Sequence, residues 1–164
     1  PDIYQGTELW DLSLVDPDNR RPVDYAHRRE LLASLGEPSP QLATDLVTHF
    51  ADGRIKLHVT RVGLQLRRQD PTLFLEGSYH ALDAGPHAIA FLRSRGSTRL
   101  VCIVPRLPRT LTRGERPFPL GDVWGDRTLE PGTWKNVFTN ERFETTLALR
   151  DIFATFPVAW LLAE

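Results

Sequence analysis

A chain of 164 residues, 41% hydrophobic and 25% charged, can bury one good core or two small ones and is too short for a complete large enzyme barrel. Its 20 basic and 21 acidic residues leave a formal net charge of −1, which supplies no field to hold a polyanion, so nucleic-acid binding is not expected. The single cysteine, Cys102, allows neither an internal disulfide nor a cysteine-based zinc site and points to a reducing compartment; with no apolar run near the roughly 18 residues of a membrane span and no signal-peptide pattern, a soluble cytoplasmic protein without membrane contact is expected.

The chain opens at Pro1, and Ile3-Tyr4 predicts a very short β-type segment closing on Gly6. With no Met and no lead-in, these residues are expected to be the tail of something longer. A loop over 9–23 follows, because Asp16-Pro17 and Arg21-Pro22 forbid a continuous helix. Asp24 is an N-cap signal for a helix carrying Tyr25, Leu31, Leu32 and Leu35, and Gly36 is placed to end it in the left-handed conformation. Ser39-Pro40 starts a second helix, with Leu42, Leu46, Val47 and Phe50 on one face and Asp52-Gly53 as its stop.

Residues 55–68 carry both a helical stripe (Ile55, Val59, Val62, Leu66) and strand-like alternation. The alternation changes phase between Val59 and Val62, so one straight strand would bury Arg61, and a helix ending at Asp70-Pro71 is the better reading. Beyond Gly77 the pattern changes to strand-length segments at 79–82, 87–92 and 100–104, then 123–124, 133–138 and 143–147, with a short amphipathic helix on Leu149, Ile152, Phe153 and Phe156 and a last strand at 158–162. The fold class expected is α+β: helices and a long polar loop over 1–77, then an antiparallel β-sandwich over 78–164.

Polar chemistry is concentrated in Tyr4-Gln5-Gly6-Thr7-Glu8-Leu9-Trp10-Asp11 and in Asp16-Pro17-Asp18-Asn19-Arg20-Arg21-Pro22. A short strand followed at once by Gly, Glu, Trp and Asp has the grammar of an active-site loop at the C-terminal end of a barrel strand. Sugar recognition needs bidentate hydrogen-bonding groups for vicinal hydroxyls and an aromatic face for the ring, and this stretch holds all of those residue types. The same types also make a self-satisfied surface turn, with Asp and Asn on nearby amides and Arg paired with Asp.

The block from Pro1 to Asp11, continued by Leu14-Val15-Asp16-Pro17-Asp18-Asn19-Arg20-Arg21-Pro22-Val23-Asp24, closely resembles the maltooligosyl trehalose synthases, a branch of the α-amylase superfamily. In that superfamily P-x-I-Y-x-G-x-E looks like the eighth barrel strand and its loop, and D-P-D-N-R-R-P is much more particular to the trehalose-forming branch. The resemblance implies that residues 1–77 are the last strand, substrate loop and helices of a (β/α)₈ barrel, and that 78–164 are its C-terminal sandwich domain. It implies an intramolecular transglucosylation in which the reducing-end α-1,4 bond of a maltooligosaccharide becomes an α,α-1,1 bond, by chemistry similar to that of retaining glycosidases.

The family's nucleophilic aspartate, acid/base glutamate and stabilising aspartate follow strands that precede Pro1, so no catalytic residue is assigned to this chain, which alone is expected to be inactive. The resemblance carries Tyr4, Gln5, Glu8, Trp10 and Asp11 as strand-end residues, and Asp16, Asp18, Asn19, Arg20 and Arg21 as the branch-specific loop, all toward substrate. Arg20 or Arg21 with Asp18 is expected to hold the reducing-end sugar, with Trp10 as a wall or a core aromatic and Glu8 as a substrate contact or an arginine's partner. The alternative is a stand-alone α-glucan-binding or protein-interaction module.

No cofactor is expected. His27, His49, His58, His80 and His87 show no metal-ligand pairing, and no G-x-S-x-G elbow occurs. Arg106, Arg109, Arg113 and Arg116 read as a solvated loop, with carboxylate contacts to the preceding barrel as the second reading, and Tyr79, Trp124 and Trp134 as packing aromatics, with a glucan-binding platform as the second reading. The expected partners are the maltooligosaccharide and the preceding barrel portion. Lacking the latter, the faces on Leu42/Leu46/Phe50 and Ile55/Val59/Val62 are expected to be partly exposed or buried by self-association.

Overall fold

The computed structural model describes residues 3–129 and 132–164. Pro1 and Asp2, which open the sequence motif, and Glu130 and Pro131 lie outside them.

Helix starts are set by local side chains. Asp24 accepts the His27 amide at 2.9 Å and caps α1 (Tyr25–Ser34), and Ser39 Oγ accepts the Leu42 amide at 3.1 Å to cap α2 (Pro40–Thr48). α1 does not end on a left-handed Gly36: Leu35 is already extended, at φ −72° and ψ 116°. The Leu35 amide donates to Leu31 O and Leu32 O of the last turn, and the exiting carbonyls are held by Arg61, which donates to Leu35 O at 3.0 Å and Gly36 O at 2.6 Å. A 3₁₀ turn at Phe50–Asp52 and a left-handed Gly53 lead into α3 (Arg54–Gln69), which buries Ile55, Leu57, His58, Val62 and Leu66. Asp70 ends this helix and at once caps α4 (Pro71–Glu76) through the Leu73 amide at 3.0 Å, a helix the sequence reading did not anticipate.

The strands β1 (Ser78–Leu82), β2 (Ala88–Arg95) and β3 (Thr98–Pro105) form an antiparallel meander. After a single helical turn, α5 (Pro108–Leu111), the expected strand at 123–124 is instead a 3₁₀ turn, Gly121–Trp124. Its bend is fixed by positive φ at Gly121 and Gly125, and Trp124 Nε1 donates to Pro119 O at 2.7 Å while its ring stacks 4.7 Å from Phe153. The expected strand at 143–147 is broken by Thr145 at φ 73°. The two pieces go to different partners: β6 (Arg142–Phe143) pairs with β5 (Trp134–Asn136), and β7 (Leu147–Ala148) pairs with β4 (Thr128–Leu129).

After α6 (Leu149–Ile152), the last strand β8 (Ala159–Ala163) inserts between β3 and β5, giving a six-stranded sheet ordered β1-β2-β3-β8-β5-β6 and a separate two-stranded ribbon β4-β7. Among the described residues the architecture is mixed α/β around an antiparallel sheet, and the strands outside that sheet are the two of the ribbon.

Alternation along β3 divides the core. Val101 and Ile103 face Trp124, Trp134, Ile152 and Phe153, whereas Leu100 and Cys102 face Leu66 and Leu73 of α3 and α4. A third cluster joins Leu9, Leu35, Leu46, Ile55 and Val62 to Phe138 and Phe156. The faces expected to be left open are therefore largely closed within the chain: Leu46, Ile55 and Val62 are buried, and Leu42, Phe50 and Val59 half-buried. Tyr79 is exposed and stacked 5.0 Å from Phe91, while Trp124 and Trp134 are core residues. No strand forms at Ile3-Tyr4, because the described residues place no strand beside it to take up its backbone groups. None of the described helices is long and apolar enough to cross a membrane.

Candidate functional site

The segment 4–24 is seated at both ends and free in the middle. Gly6 is buried at φ 98°, and a Cβ there would lie 2.7 Å from Val23 Cγ2, so the entry and exit of the loop pack at a glycine. Glu8 accepts the Gly6 amide at 3.0 Å and Arg28 Nε at 3.0 Å. Burial opposes its charge, but the amides of Gly6 and Glu8 itself, with Arg28, together hold its carboxyl below the usual range. Arg28 also donates to the carbonyl oxygens of Gly6 and Asp24.

Leu9 is buried, its carbonyl accepts Lys56 Nζ at 3.0 Å, and Trp10 Nε1 donates to Phe50 O at 2.5 Å. The Lys56 ammonium stands 5.9 Å from the Trp10 ring centre. Gly53 makes this seat possible, since a Cβ there would lie 3.1 Å from the Trp10 amide nitrogen.

From Asp11 to Pro22 the loop leaves the core. Leu12, Leu14 and Val15 are 93%, 76% and 84% exposed. Asp18 organises the loop from within, accepting the Leu14 amide at 2.9 Å through one oxygen and Arg21 through the other, at the start of a 3₁₀ turn, Asp18–Arg20. Asp16 pairs with Arg20 on the outer surface.

Between the seated ends and the loop lies a cleft of 530 Å³. Of the residues singled out in the sequence, Tyr4, Gln5, Trp10, Asp11, Asn19 and Arg21 line it. Glu8 is tied down by Arg28, Asp18 holds the loop's own backbone, and Asp16 and Arg20 pair with each other; these four are not among the lining residues. Thr7, Ser13, Val23, Asp24 and Arg28 also contribute to the walls, and sequence reasoning missed them. Arg28 in particular reads as an ordinary polar position of α1, and only the packing of that helix against Gly6 gives it a role.

The cleft is lined by two aromatic residues (Tyr4, Trp10), two side-chain amides (Gln5, Asn19), two arginines (Arg21, Arg28) and the carboxylates of Asp11 and Asp24. Hydrogen bonds from Ser13 hold Asp11 below the usual carboxylate range, which suits it to accept hydrogen bonds rather than to act as a general acid. Among the described residues no group of three or more His, Cys, Asp or Glu is placed to hold a metal ion.

No family model matches the chain. Relatives from two strains of Mycobacterium tuberculosis, CDC 1551 and H37Rv, each assigned as a maltooligosyl trehalose synthase, are 37% identical over 171 aligned positions that take in 100% of this chain and 19% of the relative. The solved maltooligosyltrehalose synthase of Arthrobacter ramosus matches with a TM-score of 0.75 at 35% identity, over 100% of this chain and 20% of that one. A further crystal structure of a maltooligosyl trehalose synthase matches with a TM-score of 0.71 at 25% identity over 19% of its length. The chain thus spans about a fifth of the length of the relatives it matches. Along its whole length it corresponds to the C-terminal part of the maltooligosyl trehalose synthases.

Proposed function

We propose that this chain supplies one wall of the active site of a synthase that rearranges the reducing-end α-1,4 linkage of a maltooligosaccharide into an α,α-1,1 linkage by intramolecular glucosyl transfer. The observation that carries the reading is that the branch-specific loop, through Asn19 and Arg21, and the strand-end motif, through Tyr4, Gln5, Trp10 and Asp11, line one and the same cleft. The match of the whole of this chain to about a fifth of the synthases supports it.

In this reading residues 1–77 are the part of the chain that makes the last strand, loop and helices of a (β/α)₈ barrel once the preceding portion supplies the neighbouring strand, and the catalytic carboxylates lie in that preceding portion. Trp10, its indole fixed by Phe50 O, is a rigid wall for the apolar face of a glucose ring, with Tyr4 beside it. Arg21 and Asn19 donate to sugar hydroxyls and Asp11 accepts from them. Keeping the released reducing glucose in the cleft, and water out of it, lets that glucose reattach through its own anomeric hydroxyl.

Incubation with maltohexaose tests this, because isomerisation removes reducing ends and hydrolysis creates them. The chain alone is expected to change nothing, and the full-length enzyme to remove reducing ends. Arg21→Ala in the full-length enzyme is expected to weaken substrate use by about 10- to 100-fold, the size of one charged hydrogen bond. Turnover by the isolated chain, or an unchanged kcat/KM in Arg21→Ala, would overturn the reading.

A further inference from the structure

Three acceptors converge on one guanidinium. Arg28 donates from Nε to Glu8 Oε2 at 3.0 Å, from one terminal nitrogen to Asp24 O at 3.1 Å, and from the other to Gly6 O. Gly6 and Asp24 bracket the loop 7–23, so one planar fork grips both ends of it. The grip is shielded, with the Arg28 and Glu8 side chains only 18% and 23% exposed, and Val23 closes on Gly6 directly beside it. Beyond this base and the Leu9–Trp10 seat, the loop is held by its own Asp18 and Asp11 bonds. Where Asn19 and Arg21 stand over the cleft therefore depends on how the base is closed.

We infer that Arg28 is a positioning residue that closes the loop base and thereby decides which acceptor completes the transfer; this rests on the functional reading above. Once the glucosyl unit is bonded to the enzyme's carboxylate, that C1–O bond breaks in favour of one of two acceptors. The anomeric hydroxyl of the retained glucose forms the α,α-1,1 bond and gives its proton to the catalytic base. Water attacking the same carbon instead gives a shortened glucan with a free reducing end, and the retained glucose leaves. A loop that loosens frees the glucose and admits water.

The test is the product ratio of the full-length enzyme acting on maltohexaose, free glucose against non-reducing trehalosyl product. Arg28→Ala is expected to raise the share of free glucose about tenfold. Arg28→Lys, which can meet only part of the acceptor set, is expected to restore the ratio in part, and Glu8→Gln, which leaves both carbonyl contacts, to shift it least. The ratio is a per-turnover quantity, so a merely structural loss of folded enzyme leaves it unchanged. An unchanged ratio in Arg28→Ala overturns the inference while leaving the functional reading standing. If that variant does not fold, an unchanged ratio in both Arg28→Lys and Glu8→Gln overturns it equally. Wild-type enzyme that forms no non-reducing product sinks the functional reading, and the inference with it.

Discussion

The imidazole of His58, in the middle of α3, donates from Nε2 to the carbonyl oxygen of Phe138 at 2.9 Å, across eighty residues of sequence. The ring is fully buried, edge-on to Phe138 and Phe156, and its Nδ1 faces the Arg61 guanidinium at 3.5 Å. A carbonyl can only accept, so Nε2 carries the proton, and the guanidinium leaves Nδ1 bare: the histidine is neutral. Burial pushes its pKa down, Arg61 adds to that, and the bond to Phe138 opposes it in part.

A depressed histidine pKa destabilises the fold on the acid side. Above the ordinary histidine value, near 6.5, both folded and unfolded chains are neutral at this position. Below it the unfolded chain binds a proton that the folded one refuses, so stability falls as pH falls, with a limiting slope of about 1.4 kcal/mol per pH unit. The carboxylates held low, Glu8, Asp11, Asp70 and Glu164, lose their contributions only at lower pH. The thermal midpoint is expected to drop between pH 7 and 5 by an amount that shrinks in His58→Gln, whose amide still donates to Phe138 but does not titrate. An equal drop in both proteins would assign the proton elsewhere.

The same relationship argues that residues 78–164 do not fold alone. Leu100 and Cys102 are covered by Leu66 and Leu73, Phe138 and Phe156 by Leu46, Ile55 and Val62, and Arg93 donates to Leu73, Phe74 and Gly77 carbonyls at 3.2, 3.0 and 2.8 Å. A large apolar side chain contributes about 1.5–3 kcal/mol when fully buried, so stripping these faces removes much of the roughly 5–15 kcal/mol that holds a domain. The excised piece is expected to bind an apolar dye and to melt without a cooperative transition; a sharp transition would show that the sheet side is self-sufficient.

What could be read in the sequence is what neighbours in the chain decide. Ser39-Pro40, the stripe of α3 and the meander through Arg95-Gly96-Ser97-Thr98 depend on residues a few positions apart. The extended exit of α1 escapes local reading because Arg61, on another helix, holds the Leu35 and Gly36 carbonyls there. Asp70-Pro71 carries the same start signal as Ser39-Pro40, yet its role as a stop masked it. The central place of β8 follows from long-range pairing that leaves no periodic trace. In the loop the sequence identifies sugar-binding residue types, but whether Arg20 or Arg21 meets the cleft is settled by which of them Asp18 holds.

Two glycines are expected to respond to the same substitution with opposite signs. Gly6→Ala puts a side chain at φ 98° and a Cβ 2.7 Å from Val23, and is expected to cost about 1–3 kcal/mol. Gly63 lies within α3, where an added Cβ would meet Trp160 at an ordinary 3.4 Å. Gly63→Ala is expected to gain about 0.5–1 kcal/mol through helix propensity, raising the melting temperature by roughly 1–4 °C. Denaturant titration reads both, and a destabilised Gly63→Ala would mean that Trp160 cannot yield.

Cys102 is expected to be silent until the sheet opens. It sits on β3 beneath α3 and α4, buried with Leu66, Leu73 and Leu100, and burial pushes its thiol up to about 12. Only the thiolate attacks a disulfide reagent, so at neutral pH almost none is present, and the side chain is only 4% exposed. Labelling is expected to proceed at the rate of the opening that separates the helices from β3, and to accelerate with denaturant in step with unfolding. Cys102→Ala removes only a small apolar group, whereas Cys102→Ser buries a hydroxyl among leucines at a cost of about 1–3 kcal/mol. Stoichiometric labelling of the native chain within the mixing time would contradict this placement, because it requires the cover over β3 to be open in the resting protein.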